Sequence, residues 1–374
     1  MTEEKEIYRP GLEGVIAGET SVSSLEGGLR YRGYGVEELC EKSTYEEVAY
    51  LVLYGELPTQ DQLGDFKSRL AKEAVLPELV LEALRKVPKN ADGMEVLRSA
   101  CSLLSHFDPD NGDESHDANM RKAERLTAKF PLIVGAWNRI RQGKEPVAAK
   151  PGLSFAAQVL WLTRGEEATA EETRAMDVSL ILYTEHEFNA STFSARAIAS
   201  TLSDLYSAVT GAIGALKGPL HGGANERVLS VLLEVGKPEN AEKWIRDALA
   251  NKTKIMGFGH RVYKDGDPRA KFLKHYCTAL AEKTGNLGLE KVADTIESAI
   301  WKEKKLPCNV DWPCGRLYHY LRLPIEIYTP LFAVARVAGW SAHVIEQLEH
   351  NRLLRPSGKY IGHGLRNYVP VDKR

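Results

Sequence analysis

The feature that most restricts the fold is an almost unbroken series of helical periods from Tyr45 to about residue 353. Apolar residues recur at three- and four-residue spacings, which gathers them on one helical face. Tyr45–Tyr54 is closed by Gly55 and Pro58, can be capped by Ser43 or Thr44, and has acidic Glu46 and Glu47 in its first turn. Further helices are expected near residues 61–74, 77–87, 93–106, 118–142, 152–164 and 170–186. Asn189–Lys217 reads as a long helix with a broken middle, and others fit 223–235, 240–250, 268–284, 288–304, 314–321 and 329–353. Small residues at Ala190, Ser191, Ser194, Ala195 and Ala199 would let a neighbouring helix approach closely. No run alternates as a strand does; short extended pieces fit only around Val15–Thr20. The expected class is all-α.

Composition narrows the functional classes. With 374 residues the chain can bury one large core or two smaller ones. Forty-nine basic residues face 51 acidic ones, and no nucleic-acid module pattern occurs, so no nucleic-acid partner is expected. The first six residues lack the apolar centre of a secretory signal, and runs such as Phe130–Trp137 fall well short of the ~18 residues of a membrane span. The five cysteines are odd in number and scattered, which fits a reducing cytoplasm better than a disulfide framework. Cys308 and Cys314 have no second Cys or His pair at zinc spacing, so no metal is expected. Asp108–His116 lacks the terminal glutamate of a calcium loop and reads as a solvated turn.

Three loops between helices carry residues able to do chemistry. The first, Lys217–Asn225, places His221 before two glycines and a helix start, where a neutral imidazole could stabilise an enolate-like oxygen; it could equally be a cap. The second, Lys254–Lys271, brackets Phe258 between Gly257 and Gly259 and delivers His260 among Arg261, Lys264, Arg269 and Lys271. Such a cluster suits carboxylates or phosphates, though a polar surface turn has the same composition. The third, Cys308–Gly315, sets Asp311 among Val310, Trp312 and Pro313. An apolar setting raises a carboxylate's pKa and makes it a better base; the alternative is an N-cap for a helix starting near Pro313. No G-x-S-x-G elbow accompanies these groups, so the set looks like proton abstraction next to a carbonyl rather than serine hydrolysis.

In order along the chain, Gly218-Pro-Leu-His-Gly-Gly-Ala-Asn225, Gly257-Phe-Gly-His-Arg-Val-Tyr-Lys264 with Asp267-Pro-Arg269, and Asn309-Val-Asp311 resemble the citrate synthase family. The resemblance extends to Gly11-Leu-Glu-Gly-Val15, Leu29-Arg-Tyr-Arg-Gly-Tyr34, Gly55-Glu-Leu-Pro58, Glu185-His-Glu-Phe-Asn-Ala-Ser-Thr192, Phe332–Trp340 and Asn351–Pro356, essentially the whole chain.

That resemblance implies a helical homodimer with a large domain, residues 1–222 and 323–374, and a small one, residues 223–322, around a cleft. It implies a citrate (Si)-synthase, an acyltransferase that condenses acetyl-CoA with oxaloacetate and hydrolyses citryl-CoA; the CoA thioester is a substrate, and no cofactor is implied. By the same resemblance Asp311 is the base, His221 the donor to the thioester oxygen, and His260 the group that polarises the ketone. His186, Arg269 and Arg336 match oxaloacetate ligands, and Arg355 an arginine supplied by the other subunit. The backbone of Lys254, Ile255, Met256, Gly257, Phe258 and Gly259 matches a contact to the CoA adenine, and Lys264 one to its phosphates.

The chain departs from the family pattern after Asp311, where Trp312-Pro-Cys-Gly315 replaces the Phe-Tyr-Ser-Gly of many relatives. A pocket separates substrates differing by one methylene by only ~1–3 kcal/mol, so 2-methylcitrate synthesis from propionyl-CoA is the nearest alternative. A catalytically silent helical assembly protein is a more distant one. The N-terminal extension of the larger, NADH-inhibited relatives is absent here, so no NADH control is expected.

Overall fold

The computed structural model describes residues 8–259, 263 and 266–374. Helices dominate. The only sheet among the described residues is a small antiparallel one, Ser23–Ser24, Arg30–Tyr31 and Tyr34–Gly35, in sequential order. Extended structure was expected slightly earlier, around Val15–Thr20; it forms instead where Gly27, Gly28 and Gly33 take positive φ and allow the chain to double back. A short helix not anticipated from the sequence, α1 (Val36–Lys42), follows it.

The next elements are α2 (Tyr45–Tyr54), α3 (Gln60–Glu73), α4 (Glu78–Lys86), α5 (Gly93–Leu104) and α6 (His116–Arg141). Then come α7 (Phe155–Arg164), α8 (Ala170–Tyr183), α9 (Ala190–Ala199) and α10 (Leu205–Lys217). Their ends follow local chemistry. Thr44 with Glu47, Thr59 with Gln62 and Thr169 with Glu172 form reciprocal capping boxes that satisfy otherwise orphaned backbone N–H groups. The break expected within 189–217 falls between α9 and α10, where Leu202 adopts positive φ and Asp204 caps α10.

The turn before α6 is solvated as expected along most of its length, with one exception at its start. Asp108 is buried, accepting from Arg125 Nη1 at 2.8 Å and from Tyr206 Oη at 2.6 Å. Its side chain reads as polar in isolation, but two long-range donors compensate its burial.

The chain continues through α11 (Ala224–Val235), α12 (Pro238–Ala250), α13 (Pro268–Lys283), α14 (Leu287–Lys304), α15 (Asp311–Tyr320) and α16 (Tyr328–Glu349). Two apolar clusters result. The larger joins α2, α5–α10, the inner face of α13, parts of α15 and α16; the smaller contains Val228, Leu232, Ile245, Val292, Ile296, Ile300 and Trp312. The middle of α16 is buried on every side, as expected of a helix running through a core rather than along a surface. Gly339 lets α16 touch the end of α8: a Cβ there would collide with Thr184 O and Glu185 Oε2. Arg336 therefore enters the interior one turn before the closest helix contact. Beyond Glu349 the chain runs as an exposed tail, four residues earlier than the periodicity suggested. No helix among the described residues is long and apolar enough to cross a membrane.

Candidate active site

Segments far apart in sequence meet around a cavity of about 130 Å³. Tyr183 and His186 come from the end of α8, His221 from the α10–α11 connection, Arg269 from the start of α13, Asp311 from the start of α15, and Phe332 and Arg336 from α16. A larger cavity of about 510 Å³ lies between α3, α6 and α7, but none of the candidate site residues lines it.

Asp311 is not a loop residue or a cap, as the sequence left open, but the first residue of α15; Val310 holds the cap position without a side-chain bond. Asn309 Oδ1 accepts from the Asp311 backbone N–H at 3.1 Å, which fixes the helix start. Tyr183 Oη donates to Asp311 Oδ1 at 2.8 Å. Burial pushes the Asp311 carboxyl up to about 6, against the pull of Tyr183, Arg269 and Arg336.

His221 receives the backbone N–H of Ser191 on Nε2 at 3.3 Å, with the Ser191 hydroxyl 2.8 Å from the same nitrogen. A backbone N–H only donates, so Nε2 accepts and the neutral ring carries its proton on Nδ1. Burial first, then the positive charge of Arg336, pulls its pKa down to about 4. The imidazole is therefore neutral near pH 7. Trp340 Nε1 donates to Ser191 Oγ at 3.1 Å, so α16 holds the serine that holds the histidine.

Arg336 is 1 % exposed. Its Nε donates to Tyr183 O at 2.7 Å, while Nη1 has no hydrogen-bond partner among the described residues. A buried guanidinium nitrogen left unpaired is costly, and an anion in the cavity would compensate it. Arg269 is gripped by Asp267 in a two-pronged pair, Nε to Oδ1 at 2.9 Å and Nη2 to Oδ2 at 2.8 Å. Asp267 Oδ2 also accepts from Val310 N at 3.0 Å, tying that arginine to the start of α15.

His186 is buried, with Nε2 3.2 Å from Tyr263 Oη and its backbone N–H donated to Glu185 Oε1 at 2.8 Å. Glu185 in turn lies 3.0 Å from His343 Nε2. Arg196 Nη1 is 3.0 Å from His343 Nδ1, and because arginine only donates, the proton of His343 sits on Nε2, facing Glu185.

The other two loops zip together. Gly259 N–H donates to Pro307 O at 2.8 Å, Asn309 N–H to Gly257 O at 2.9 Å, and Asn309 Nδ2 to Gly259 O at 3.0 Å. These pairings use much of the glycine backbone, while Lys254 is exposed and Ile255 and Met256 are half-exposed beside it. Gly257 has φ +87°, and a Cβ there would press on Val228 and Trp312. Trp312 itself is fully buried, 4.5 Å ring to ring from Phe258, and belongs to the smaller core rather than to the cavity wall. His260 and Lys264 lie outside the described residues. Arg355 sits on the exposed tail and is not among the cavity residues. No cluster of three or more metal-ligating His, Cys, Asp or Glu side chains occurs among the described residues.

Residues 11–357 match the family model described as citrate synthase, C-terminal domain. The chain belongs to the citrate synthase family. It is 46 % identical to citrate synthase 2 of Bacillus subtilis (strain 168), over 97 % of this chain and 98 % of that one. It is 43 % identical to the 2-methylcitrate synthase of Shewanella oneidensis, over the full length of both. A solved ternary complex of citrate synthase from Thermoplasma acidophilum with carboxymethyl coenzyme A and oxaloacetate matches with a TM-score of 0.93 at 37 % identity, covering 98 % of this chain and 99 % of that one. Membership of the citrate synthase family makes this chain a condensing transferase, and its relatives include both citrate and 2-methylcitrate synthases.

Within that family frame, the residues the sequence did not single out for a role are Tyr183, Ser191, Asp267 and Phe332. Tyr183 ends an apolar helix and reads as ordinary core. The others lie inside or beside the family-like motifs; Ser191 and Phe332 meet partners distant in sequence, and Asp267 joins its neighbour Arg269 to the distant Val310.

Proposed function

We propose that this chain is a citrate synthase: it condenses acetyl-CoA with oxaloacetate and hydrolyses the citryl thioester to citrate and CoA. The observation that carries the reading is the convergence on one cavity of a carboxyl raised to about 6, a neutral imidazole and a buried arginine with an unpaired nitrogen. Asp311 takes a proton from the acetyl methyl, and Nδ1–H of His221 donates to the thioester oxygen as it gains enolate character. The methyl carbon then bonds to the ketone carbon of oxaloacetate. His260 polarises that ketone and protonates the new alkoxide; water then cleaves the thioester. Arg336, Arg269 and His186 hold the oxaloacetate carboxylates, for which planar guanidinium groups provide orientation as well as charge. The CoA adenine lies along the backbone of residues 254–259, with Lys264 at its phosphates.

A small unit of residues 223–322 closing on the remainder would exclude water until the carbon–carbon bond has formed. The second apolar cluster supports such a unit.

Acyl preference is the finer question, since 2-methylcitrate synthases lie among the similar relatives. Because Trp312 packs away from the cavity, its departure from the family pattern gives no direct contact for an added methyl. We expect kcat/KM to favour acetyl-CoA over propionyl-CoA in steady-state assays with oxaloacetate. A higher kcat/KM with propionyl-CoA would make the enzyme a 2-methylcitrate synthase.

The tail supports a homodimer in which Arg355 completes the partner's site. Ile361 and Leu365 are exposed at 90 % and 105 %, an apolar display suited to a protein surface rather than to water. Arg355→Ala and Asp311→Asn chains should each be inactive alone, yet regain about a quarter of parental activity after equal mixing and subunit exchange, because half the dimers carry one intact site. No recovery in verified heterodimers would count against the shared site.

A further inference from the structure

We infer that Tyr183 is a positioning residue for the base, holding one oxygen of Asp311 so that the other is presented to the acyl substrate. This rests on the condensing reading above. Tyr183 stands where three parts of the cavity can be set by one residue. Its hydroxyl donates to Asp311 Oδ1 at 2.8 Å, its carbonyl accepts from Arg336 Nε at 2.7 Å, and its ring lies 4.1 Å from that of Phe332. A base that must take a proton from carbon needs a fixed lone pair, since small misplacements at the reacting atoms are expensive. With Oδ1 committed to the hydroxyl, Oδ2 is the oxygen that accepts the proton.

The charges around the pair favour this arrangement. Asp311 is faced by Tyr183 from α8, by Arg269 and Asp267 from the start of α13 and by Arg336 from α16; His221 shares its cavity and Cys314 lies on its own helix. Burial and the neighbouring carboxylate hold the Tyr183 hydroxyl well above its ordinary range, so it stays protonated and donates. The bond lowers the affinity of Asp311 for protons and opposes the effect of burial. Tyr183 thus keeps the base ionised at neutral pH as well as oriented.

Tyr183→Phe isolates the hydroxyl, because phenylalanine keeps the ring against Phe332 and the carbonyl that receives Arg336. The comparison runs the parent, Tyr183→Phe and Asp311→Asn side by side from roughly pH 5 to pH 9, with the Asp311 carboxyl followed by carbon-13 NMR. In Tyr183→Phe the acid limb of kcat/KM and the carboxyl titration of the free protein should both move up by about one pH unit, the size of one hydrogen bond to a charged group. Plateau kcat should fall about tenfold through loss of orientation, with KM for oxaloacetate changed less than about twofold. An unshifted acid limb and titration, whether or not kcat falls, would overturn the inference. Near-parental turnover in Asp311→Asn would instead overturn the reading beneath it.

Discussion

Asp311→Asn is expected to lower kcat by about 10²- to 10⁴-fold, the range that a positioned general base contributes. The asparagine side chain keeps the shape and can still accept from Tyr183 through its carbonyl oxygen, so oxaloacetate binding should persist. Stopped-flow release of CoA and equilibrium binding of oxaloacetate would check the two halves of that expectation. The parent's pH profile follows from the same group. Asp311 works only when ionised, so its raised pKa of about 6 in the free protein places the acid limb of kcat/KM near pH 6. His221, drawn down to about 4, remains neutral through that limb and adds no ionisation of its own there.

Stability moves the other way. The folded-state pKa of Asp311 lies above its unfolded value, so the folded chain binds the proton more tightly. The cost of burying the carboxylate is then fully present above about pH 6 and disappears as pH falls below the unfolded value. Asp311→Asn should accordingly melt no lower than the parent at pH 8.

Arg336→Met is expected to raise KM for oxaloacetate about 100-fold, equivalent to ~2.7 kcal/mol of lost binding. Methionine fills a similar volume but offers the substrate carboxylate no donors. In the empty enzyme the change removes a buried guanidinium with an unpaired nitrogen, along with its bond to Tyr183 O. It also removes one positive charge near Glu185, which keeps the His343 contact, the Ser23 hydroxyl and the His186 backbone N–H. These contributions oppose one another, so the melting temperature should shift by only a few degrees. Isothermal titration with oxaloacetate and a thermal melt on the same preparation would separate the two effects. Unchanged oxaloacetate affinity would remove Arg336 from the binding set.

The value of Arg336 at this position is visible only in three dimensions. In the sequence it stands in a helix of alanines and valines, Phe332–Trp340, with nothing nearby to pair with it. Its significance came from the motif as a whole. In the fold, Gly339 brings α16 against the end of α8, which delivers the arginine to Tyr183 and the cavity.

Most helices were legible from apolar spacing and end signals because both act over a few residues. Thr44 caps α2, one of the two residues the sequence offered for it, because its partner Glu47 is three residues away; Thr59 and Thr169 cap by the same local rule. The burial of Asp108 and the direction of Trp312 were not legible, for the converse reason. The burial of Asp108 depends on Arg125 and Tyr206, and the direction of Trp312 depends on Phe258 and Gly257.

Chain-local chemistry thus established an all-α architecture, three loops able to position a base and imidazoles, and the family to which their motifs belong. Tertiary structure alone set Asp311 as the first residue of α15 beneath the Tyr183 hydroxyl, assigned the His221 proton to Nδ1 through Ser191, and turned Trp312 away from the cavity. Periodicity and capping are read over one or two helical turns. Hydrogen-bond partners, burial and the pKa values they produce depend here on residues 30 (Ser191 and His221) and 128 (Tyr183 and Asp311) positions apart, and these meet only when the helices pack.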